Sequence, residues 1–566
     1  MEKVLGIDSG TTTSAVAISE YGSVRNILNT DGEAKLASVV CFTPQGETLI
    51  GNLAASYRDI YPERSASHFK TYMGEKMVFL EVDGNSYSPQ QLTSMVLKRL
   101  KEAACEDEGE EISKAVVTVP TNFGEKECGA LREAAKMADI EVLSLLKEPV
   151  AAALYSLEQL KKMGKSNMIL EMLDVGGGTT DVSVMRYKAG EGVIEEIVSA
   201  GDKYCGGEDV DAFFKAAVKK KFFTGKKLDV NQQQELTTKL ILAKHRLSNR
   251  ENTTFSVSTG EDYEKVVVSV TREDLEKCLT ENCAKMSSDK FKEYLGTSWQ
   301  DHFESYRTQS WAERVTAVLK DVDTELQKAK TVPDLLILVG GSSNMPIVKK
   351  IVQKVYPNVE IYMSDEPELA VSKGAAIYAN YLVEKKKAPV VHWKRRKTKS
   401  NEARNNPQES SASDIIKEIN FVSAHSYGIK CLIKDANGKE TDKVINILYR
   451  GSTLPVEVDD VFATKYEHQK VACLSVYENF SSDRQVNMAD GNFIGECKLQ
   501  INGDLPAHSE INVRLSLDID GKLRVFGYEK KGKTEINATM EVDSLLSKEE
   551  FEREKAQVEK VYEQVV

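Results

Sequence analysis

At 566 residues the chain is too long for one ordinary domain, and two or three domains are expected. Its 41% hydrophobic and 29% charged residues are typical of a globular protein and exclude a fibrous or largely disordered one, while the net charge of −12 argues against broad nucleic-acid binding. No apolar run approaches the roughly 20 residues of a membrane span, the first residues leave no room for a signal peptide, and the nine cysteines lack C-x-x-C pairs. We therefore expect a cytoplasmic protein that has neither a membrane nor a nucleic acid as partner.

The chain opens with a short apolar run that leads into a turn rich in glycine, serine and threonine. Val4-Leu5 precede Gly6-Ile7-Asp8-Ser9-Gly10-Thr11-Thr12-Thr13, so a strand should leave a buried sheet and enter this turn. Small residues let backbone N–H groups approach an anion closely, and the hydroxyl groups add further donors. An aspartate in such a turn would repel a bare phosphate, so it makes sense mainly beside a bridging cation.

Strands and helices then alternate from Met1 to about Glu384, in the manner of an α/β domain. Residues 115–120 predict a buried strand that ends at a proline, residues 125–138 predict a helix, and residues 140–143 predict the next short strand. We expect this first domain to cover residues 1–384.

A second turn has the same design as the first. Met168-Ile169-Leu170 precede Leu173-Asp174-Val175-Gly176-Gly177-Gly178-Thr179-Thr180-Asp181. Two related turns with acids and hydroxyl groups predict two similar lobes that clamp one nucleotide phosphate tail. A third turn, Gly340-Gly341-Ser342-Ser343, lies between a predicted buried strand over 335–339 and a predicted helix over 346–355, whose proline suits the first helical turn.

The composition changes abruptly over residues 385–414. Lys385-Lys386-Lys387 and Lys394-Arg395-Arg396-Lys397 give way to the polar tract Asn405-Asn406-Pro407-Gln408-Glu409. Low hydrophobicity with clustered charge predicts a flexible, solvated linker. A nuclear-import signal or a patch for an anionic surface is the alternative.

The pattern over residues 415–542 is all-β. Short alternating runs, separated by turn signals at Asp435-Ala436-Asn437-Gly438 and Asp520-Gly521, predict a small antiparallel β-sandwich. Ser547-Lys548-Glu549-Glu550 have the pattern of a capping box, and strong helix formers follow. Residues 543–566 should therefore end the chain in a single helix of about 20 residues.

In this order, the segments resemble the seventy-kilodalton heat-shock chaperones, the DnaK-type Hsp70 family. The resemblance rests on the three glycine turns and on further matches along nearly the whole chain. These matches are Lys70, residues 116–122, 148–153, 174–183, 201–202, 206–209 and 339–342, and Ser452-Thr453-Leu454-Pro455 with Val461-Phe462. It implies an actin-like ATPase domain, a duplicated ribonuclease H-like α/β fold, joined by the linker to a peptide-binding β-sandwich. It also implies ATP or ADP with Mg²⁺, K⁺ as a further candidate ion, and a role in protein folding and the stress response.

The resemblance assigns ATP hydrolysis to four acids, one lysine and one threonine. These residues are Asp8, Lys70, Glu148, Asp174, Thr179 and Asp181. Asp8 and Asp174 suit contacts through water to Mg²⁺, and Lys70 supplies positive charge to the transferred phosphoryl group. Thr179 can hydrogen-bond the γ-phosphate or the attacking water, which Glu148 and Asp181 can orient. Taken alone, Lys70 also fits a solvated surface lysine.

Further nucleotide contacts follow from the same register. They are Gly10, Thr11, Thr12 and Thr13 in the first turn, Gly176, Gly177 and Gly178 in the second, Gly206, Gly207, Glu208, Lys244 and Ser248 beside the adenosine, and Gly340, Gly341 and Ser342 in the third turn. Two positions depart from the family pattern: Ile241 replaces an acid that accepts from the ribose, and Asn344 replaces an arginine that stacks on the base. His245 could stack instead, although a helix-surface histidine is the simpler interpretation. Uncompensated, these losses cost roughly 2–4 kcal/mol, so nucleotide binding should be weaker or less base-selective than is usual.

Residues 282–311 are longer than the family usually has here, with Trp299, Phe303 and Trp311 as apolar anchors. Two interpretations stay open: extra core packing, and a docking surface for a partner.

The resemblance also implies a groove for one extended peptide in the β-domain. Its lining would be Ile429, Cys431, Leu432, Phe462, Ala472, Leu474 and Val476. Ala472 stands where the family commonly has a larger aliphatic residue, which would widen the central pocket, and Leu474 and Val476 equally fit core packing. Residues 414–419 are a degenerate form of the family's linker, and without a lid after Phe551 a bound peptide should leave faster.

Two functions remain in competition. One is an ATP-hydrolysing chaperone that binds unfolded or extended polypeptides, with a J-domain co-chaperone and a nucleotide-exchange factor as partners. The other is a weakly hydrolysing or non-hydrolysing co-chaperone that uses ATP as a structural ligand. A sugar kinase of the actin-like type shares the two phosphate turns but leaves the β-domain unexplained.

Overall fold

A computed structural model describes most of the chain. The described residues are 2–20, 23–58, 60–162, 164, 167–188, 191–260, 264–281, 306–387, 418–434, 440–501, 506–519, 521–529, 535–536 and 546–565. The predicted spacer from residue 388 onward, the segment 282–305 with Trp299 and Phe303, the turn 435–438 and Asp520 lie outside these ranges. Among the residues described, no helix combines the length and the apolar character that a membrane crossing needs.

The elements up to residue 162 alternate as predicted. In chain order they are β1 (Leu5–Asp8), β2 (Thr13–Glu20), β3 (Ser23–Asn26), β4 (Leu36–Ala37), β5 (Val39–Phe42), β6 (Thr48–Ile50), α1 (Asn52–Tyr57), β7 (Ser65–Ser67), β8 (Leu80–Val82), β9 (Asn85–Tyr87), α2 (Pro89–Glu108), β10 (Lys114–Val119), α3 (Glu125–Met137), β11 (Glu141–Lys147) and α4 (Glu148–Lys162). The predicted strand over 140–143 is longer than expected, because its backbone pairs with β10 as far as Lys147.

The elements from residue 168 to residue 387 continue the alternation. They are β12 (Met168–Val175), β13 (Thr180–Lys188), β14 (Val193–Asp202), α5 (Gly207–Phe222), α6 (Val230–Asn249), β15 (Asn252–Thr259), β16 (Glu264–Thr271), α7 (Arg272–Thr280), α8 (Trp311–Lys328), β17 (Leu335–Val339), α9 (Pro346–Val355), β18 (Glu360–Met363) and α10 (Ala370–Lys387). The predicted strand and helix around the third glycine turn are confirmed to the residue.

Two six-stranded sheets organise these elements, and their strands have matching order and direction. The order is β11-β10-β1-β2-β3 in one sheet, where β4 also pairs with β2, and β18-β17-β12-β13-β14 in the other, whose sixth strand is formed by Glu418–Asn420. In each sheet the first three strands run parallel and the next pairings are antiparallel. β1 and β12 therefore occupy equivalent positions, and Asp8 and Asp174 lie at the corresponding ends of these two strands.

The remaining elements are mainly antiparallel strands. They are β19 (Glu418–Asn420), β20 (Ser426–Lys434), β21 (Glu440–Leu448), β22 (Val456–Ala463), β23 (Val471–Asn479), β24 (Gln485–Asn487), β25 (Asn492–Gln500), β26 (Glu510–Leu517), β27 (Leu523–Glu529), β28 (Glu535–Ile536) and the helix α11 (Lys548–Tyr562). The sheets β24-β21-β20-β23-β25 and β22-β26-β27-β28 share one hydrophobic core, to which Ile429, Val476, Leu515 and Val525 contribute. This arrangement agrees with the predicted sandwich.

Both ends of the sandwich region contact the α/β part of the chain. β19 is the sixth strand of the second sheet and pairs in parallel with β14, so that Ile419 lies opposite Ile194. α11 begins with the predicted cap, since the Ser547 hydroxyl accepts from the Glu550 N–H, but it has 15 residues rather than about 20. Val558 of α11 is fully buried in the core of the first sheet, and the Ser88 hydroxyl donates to the Glu554 carboxylate at 2.8 Å.

Buried carboxyl groups meet where the sandwich contacts the start of α3. The Glu478 carboxylate of β23 accepts a hydrogen bond from the Glu125 N–H at 3.4 Å and another from the Asn492 amide at 2.9 Å. Burial raises the pKa of the Glu125 side chain from 4.5 to about 8, and burial also raises the pKa of Glu478. The protein therefore binds a proton at this contact that the unfolded chain releases above about pH 4.5.

We predict that Glu125→Gln flattens the pH dependence of stability. The folded-state pKa of Glu125 lies above its unfolded value, so the wild-type free energy of unfolding should fall as the pH rises from 4.5 to about 8. The variant should match the wild type near the acidic end of this window and be more stable above pH 8. Thermal unfolding across the window measures this, with Glu141→Gln, an exposed acid of β11, as control. Parallel curves for Glu125→Gln and wild type would contradict it.

Candidate functional site

The first and second glycine turns face each other. The first joins β1 to β2 and the second joins β12 to β13, where the Gly176 N–H donates to the Thr179 carbonyl at 2.9 Å. A Cβ atom on Gly177 would lie 1.9 Å from the Thr12 hydroxyl oxygen, so only glycine allows the two turns to approach this closely. The predicted pair of turns is thus brought together between the two sheets.

Two further segments complete the same region. Gly340 of the third turn has φ 80°, and a Cβ there would lie 2.3 Å from Oδ1 of Asp174. The N–H groups of Gly207 and Glu208, at the start of α5, donate to the Gly176 and Gly177 carbonyls at 3.0 and 2.9 Å. Together the four segments border a cavity of about 860 Å³, which is within the usual size of a small-molecule site.

Most of the site residues predicted from the sequence line this cavity. They are Asp8, Gly10, Thr11, Thr12, Thr13, Glu148, Asp174, Gly176, Gly177, Gly178, Thr179, Gly207, Glu208, Lys244, Ser248, Gly340, Gly341 and Ser342. Lys70, Asp181 and Gly206 lie directly behind the lining. Lys215 and Thr237 also line it and were missed, although each stands one helical turn from a lining residue, Asp211 or Ile241.

Lys70 is buried, with 3% of its surface exposed, which contradicts the alternative of a solvated surface lysine. It lies in a short 3₁₀ turn that follows His68, whose φ is 63°. The Lys70 ammonium is 2.9 Å from Oε1 of Glu148 and 5.5 Å from the centre of the Phe123 ring. A charged lysine is thereby held rigidly beside the two acid-bearing turns.

Several carboxyl groups lie close together at the floor of the cavity, and their pKa values are raised. Burial and the charge of Glu148 raise the pKa of Asp8 to about 7, even though Lys70 and a 3.1 Å hydrogen bond from Thr118 favour its charged form. Burial, then Glu148 and other acids, raise the pKa of Asp174 well above its ordinary value. Carboxyl groups that repel one another in a dry site are suited to a divalent cation, because its charge removes the repulsion. Among the described residues no three acids, histidines or cysteines lie close enough together to ligate a metal directly, so the residues present fit a hydrated Mg²⁺ that they would contact through water.

Asp181 is held from behind rather than exposed to the cavity. Its Oδ1 atom accepts hydrogen bonds from the Thr121 N–H at 2.7 Å and from the Thr121 hydroxyl at 2.5 Å. Burial raises its pKa to about 7, with Glu148 as the next cause. The backbone of β12 and β13 places Asp181 directly opposite Asp174, so both acids belong to one strand pair.

The adenosine side contains both departures from the family pattern. Ile241 and Asn344 line the cavity, as does His245, which is an exposed residue on the surface of α6. The Lys244 ammonium contacts Asp211 at 2.8 Å and donates to the Gly207 carbonyl at 3.1 Å. This side of the cavity thus combines an aliphatic, an amide and an imidazole group where an acid and an arginine were expected.

The predicted peptide-groove residues divide into two groups. Ile429, Ala472, Leu474 and Val476 are buried in the core between the two sandwich sheets. Cys431 and Phe462 are partly buried at its edge, and Leu432 is 42% exposed. For Leu474 and Val476 this placement is the core packing that was left open as an alternative.

Known proteins match the chain along most of its length. Residues 4–80 and 75–392 match the family model described as Hsp70 protein. The chain is 28% identical over 597 residues to the stromal 70 kDa heat shock-related protein of the Pisum sativum chloroplast, which covers 99% of this chain and 73% of that protein. It is also 28% identical to the chaperone protein dnaK3 of Synechocystis sp., over 98% of this chain and 66% of the relative.

A third relative is more similar in sequence over a shorter part of the chain. The chaperone protein DnaK of Thermotoga petrophila is 33% identical over 394 residues, which is 67% of this chain and 60% of that protein. The Hsp70 model itself covers well over half of the chain, including all three glycine turns and the acids of the cavity. By this match the chain belongs to the Hsp70 family.

Proposed function

We propose that the chain is an Hsp70-type molecular chaperone that binds and hydrolyses ATP to control the binding of unfolded polypeptide segments. One observation carries the proposal: two matching acid-bearing glycine turns meet at a nucleotide-sized cavity, with the buried Lys70–Glu148 pair behind them. The family match supports the same conclusion. The proposed domains are a nucleotide-binding domain over 1–384, a spacer over 385–414, a peptide-binding sandwich over 415–542 and a C-terminal helix over 543–566.

The proposed roles of the residues follow from their chemistry. Asp8 and Asp174 would hold hydrated Mg²⁺ through water, and the ion would neutralise charge on the phosphates when bound; K⁺ remains a further candidate. The N–H groups of the glycine turns bind the phosphate oxygens. Lys70 stabilises charge on the transferred phosphoryl group, and the Thr179 hydroxyl binds the γ-phosphate or the attacking water. Glu148, which lines the cavity, and Asp181, which lies behind the lining, would orient that water. The hydrogen bond from the Thr121 N–H supports this proposal for Asp181, because it restricts the carboxylate to one position.

A buried network supports coupling between the cavity and the sandwich. Lys147 immediately precedes Glu148, and its ammonium donates to Oε1 of Glu196 at 2.9 Å and to the Val422 carbonyl at 3.0 Å. The Val422 N–H donates to the same Glu196 carboxylate at 3.1 Å. Val422 lies at the entry to the sandwich, where it pairs with Thr453. A displacement of Glu148 can therefore be transmitted to the peptide-binding region through the neighbouring residue Lys147.

The altered adenosine contacts favour a second candidate. With Ile241 and Asn344 in the cavity, ATP would be bound as a structural ligand by a co-chaperone that hydrolyses it weakly or not at all. Unfolded polypeptides, a J-domain co-chaperone and a nucleotide-exchange factor are the partners we propose for the first candidate. A single turnover of bound ATP separates the two.

We predict that Lys70→Met lowers the single-turnover rate of bound ATP by about 10²–10³-fold, because it removes a buried charge from the transition state. Thr179→Ala should also slow the step. Rapid-quench measurement of ADP formation tests both variants. Lys101→Met is the matched control, since Lys101 is a buried lysine of the same lobe that pairs with Glu111, away from the cavity. Equal rates for all variants, or no turnover in the wild type, would favour the structural-ligand candidate.

We also predict that Ile241→Glu combined with Asn344→Arg strengthens ADP binding by about one and a half to three decades and increases discrimination against GDP. The two changes restore an acceptor for ribose hydroxyls and a cation that stacks on the base. Calorimetric titration with ADP and GDP measures both effects. Leu242→Glu, at an exposed position of the same helix, is the control. Tight, selective ADP binding by the wild type would refute the weakened site.

A third prediction concerns coupling. Lys147→Met should abolish the acceleration of ATP turnover by an unfolded peptide and the acceleration of peptide release by ATP, because it disconnects Val422 from β11. Steady-state turnover and the release of a fluorescent peptide measure the two directions. Lys188→Met is the control, because Lys188 also pairs with a glutamate of β14 but touches nothing in the sandwich among the described residues. Retained stimulation in Lys147→Met would exclude this route.

A further inference from the structure

We propose that Trp311 and Arg314 are positioning residues for the nucleotide, which act by fixing the turn over residues 202–208. This inference rests on the proposed nucleotide site. The turn joins β14 to α5, and its last residues, Gly207 and Glu208, line the cavity. Trp311 and Arg314 do not line the cavity and lie on the far side of the turn.

The turn is in direct contact with the second glycine turn. In addition to the two hydrogen bonds from Gly207 and Glu208, a Cβ on Gly206 would lie 2.4 Å from the Gly177 carbonyl oxygen. A Cβ on Gly207 would lie 2.4 Å from the Ser342 hydroxyl of the third turn. Because there is no free space at these contacts, a shift of the turn must displace the glycine turns or widen the cavity.

Side chains from residues 306–314 hold this turn from behind. The Trp311 indole N–H donates to the Gly206 carbonyl at 3.1 Å, and the Tyr306 hydroxyl donates to the Tyr204 carbonyl at 2.9 Å. Nε of Arg314 donates to Oδ2 of Asp202 at 2.9 Å, and Nη2 of Arg314 contacts the same carboxylate. Asp202, Tyr204 and Gly206 of this turn thus all accept hydrogen bonds from side chains of the segment 306–314.

The holding side chains are themselves fixed. Trp311 and Tyr306 are each 1% exposed and Arg314 is 6% exposed, so none has room to move. The Arg314 guanidinium stacks 4.7 Å from the centre of the Tyr306 ring, and Tyr306 packs edge-on against Phe213 of α5. Trp311 is the first residue of α8, whose start is capped by Ser310. The turn is therefore clamped between a rigid helix and the glycine turns.

This arrangement gives a defined place to Trp311, the last of the apolar anchors predicted in residues 282–311. Trp311 is a core residue, in keeping with the extra-packing interpretation, and in addition its indole N–H reaches the nucleotide-facing backbone. A small displacement of a positioning backbone lowers the affinity for the ligand without removing any contact to the ligand itself, because the site is then less well preorganised. Loss of the Trp311 hydrogen bond would also leave the buried Gly206 carbonyl without this donor.

The test uses Trp311→Phe, which removes the indole N–H and keeps an aromatic ring, and Arg314→Lys, which keeps the charge and removes the two-pronged contact with Asp202. In both variants we expect the dissociation constant for Mg-ADP, measured by calorimetry, to rise about 10-fold. The single-turnover rate of bound ATP should stay within about twofold, because neither side chain touches the reacting atoms. Without nucleotide, hydrogen exchange of the Gly207 and Glu208 amides should become about 10-fold faster.

Tyr356→Phe is the matched control. It removes a buried hydroxyl of the same lobe, which donates to the Leu319 carbonyl at 3.4 Å, without touching residues 202–208. This variant should leave both the dissociation constant and the amide exchange unchanged.

Two results are decisive. If Trp311→Phe and Arg314→Lys lower the melting temperature as the control does, yet leave ADP affinity and exchange of residues 207–208 unchanged, the side chains are merely structural and the inference is overturned. If the wild type binds no ADP, the proposed function fails and the nucleotide role of Trp311 fails with it. In that case, faster exchange in the variants still supports the fixing of the turn, and unchanged exchange overturns it.

Discussion

The contact between the two glycine turns is the constraint on which the site depends. Gly177 and Thr12 approach so closely that any side chain at position 177 would overlap the threonine hydroxyl. The two six-stranded sheets must therefore present equivalent strand ends to each other, which their identical strand order allows. The cavity between them is a consequence of this symmetry, since the third turn and the start of α5 close its remaining sides.

The same contact brings acids close together at the floor of the cavity, where they are largely removed from water. Asp8, Asp174 and Glu148 repel one another there, and Lys70 offsets only part of that repulsion. A purely structural core would have no reason to retain such an arrangement, because buried like charges are destabilising. A site that takes up a cation together with a phosphate chain has such a reason, since binding removes the repulsion.

The β-sandwich and the C-terminal helix are packed onto this α/β scaffold rather than separate from it. β19 extends the second sheet, Val558 of α11 enters the core of the first, and Glu478 contacts the start of α3. A further contact, the hydrogen bond from Lys147 to the Val422 carbonyl, lies next to Glu148 of the acid cluster. Regions that are far apart in the chain are therefore mechanically connected, as control of peptide binding by a nucleotide would require.

The features that could be predicted from the amino-acid sequence are local. Strand, turn and helix around Asp8, Asp174 and Gly340 follow from short runs of residues, and the cap at Ser547 was equally readable, because backbone preferences act over a few positions. Most of the predicted site residues line the cavity for the same reason, with the family resemblance supplying the register.

The contacts between distant segments could be identified only from the three-dimensional structure. It buried Lys70 against Glu148, aimed the Trp311 indole at Gly206, placed Ala472 in a core and docked Val558 on the first sheet. The spacing of apolar residues indicates which face of a helix or strand is buried, but it does not indicate which other element covers that face. That partner is chosen by the packing of whole layers, so these roles were beyond any local pattern.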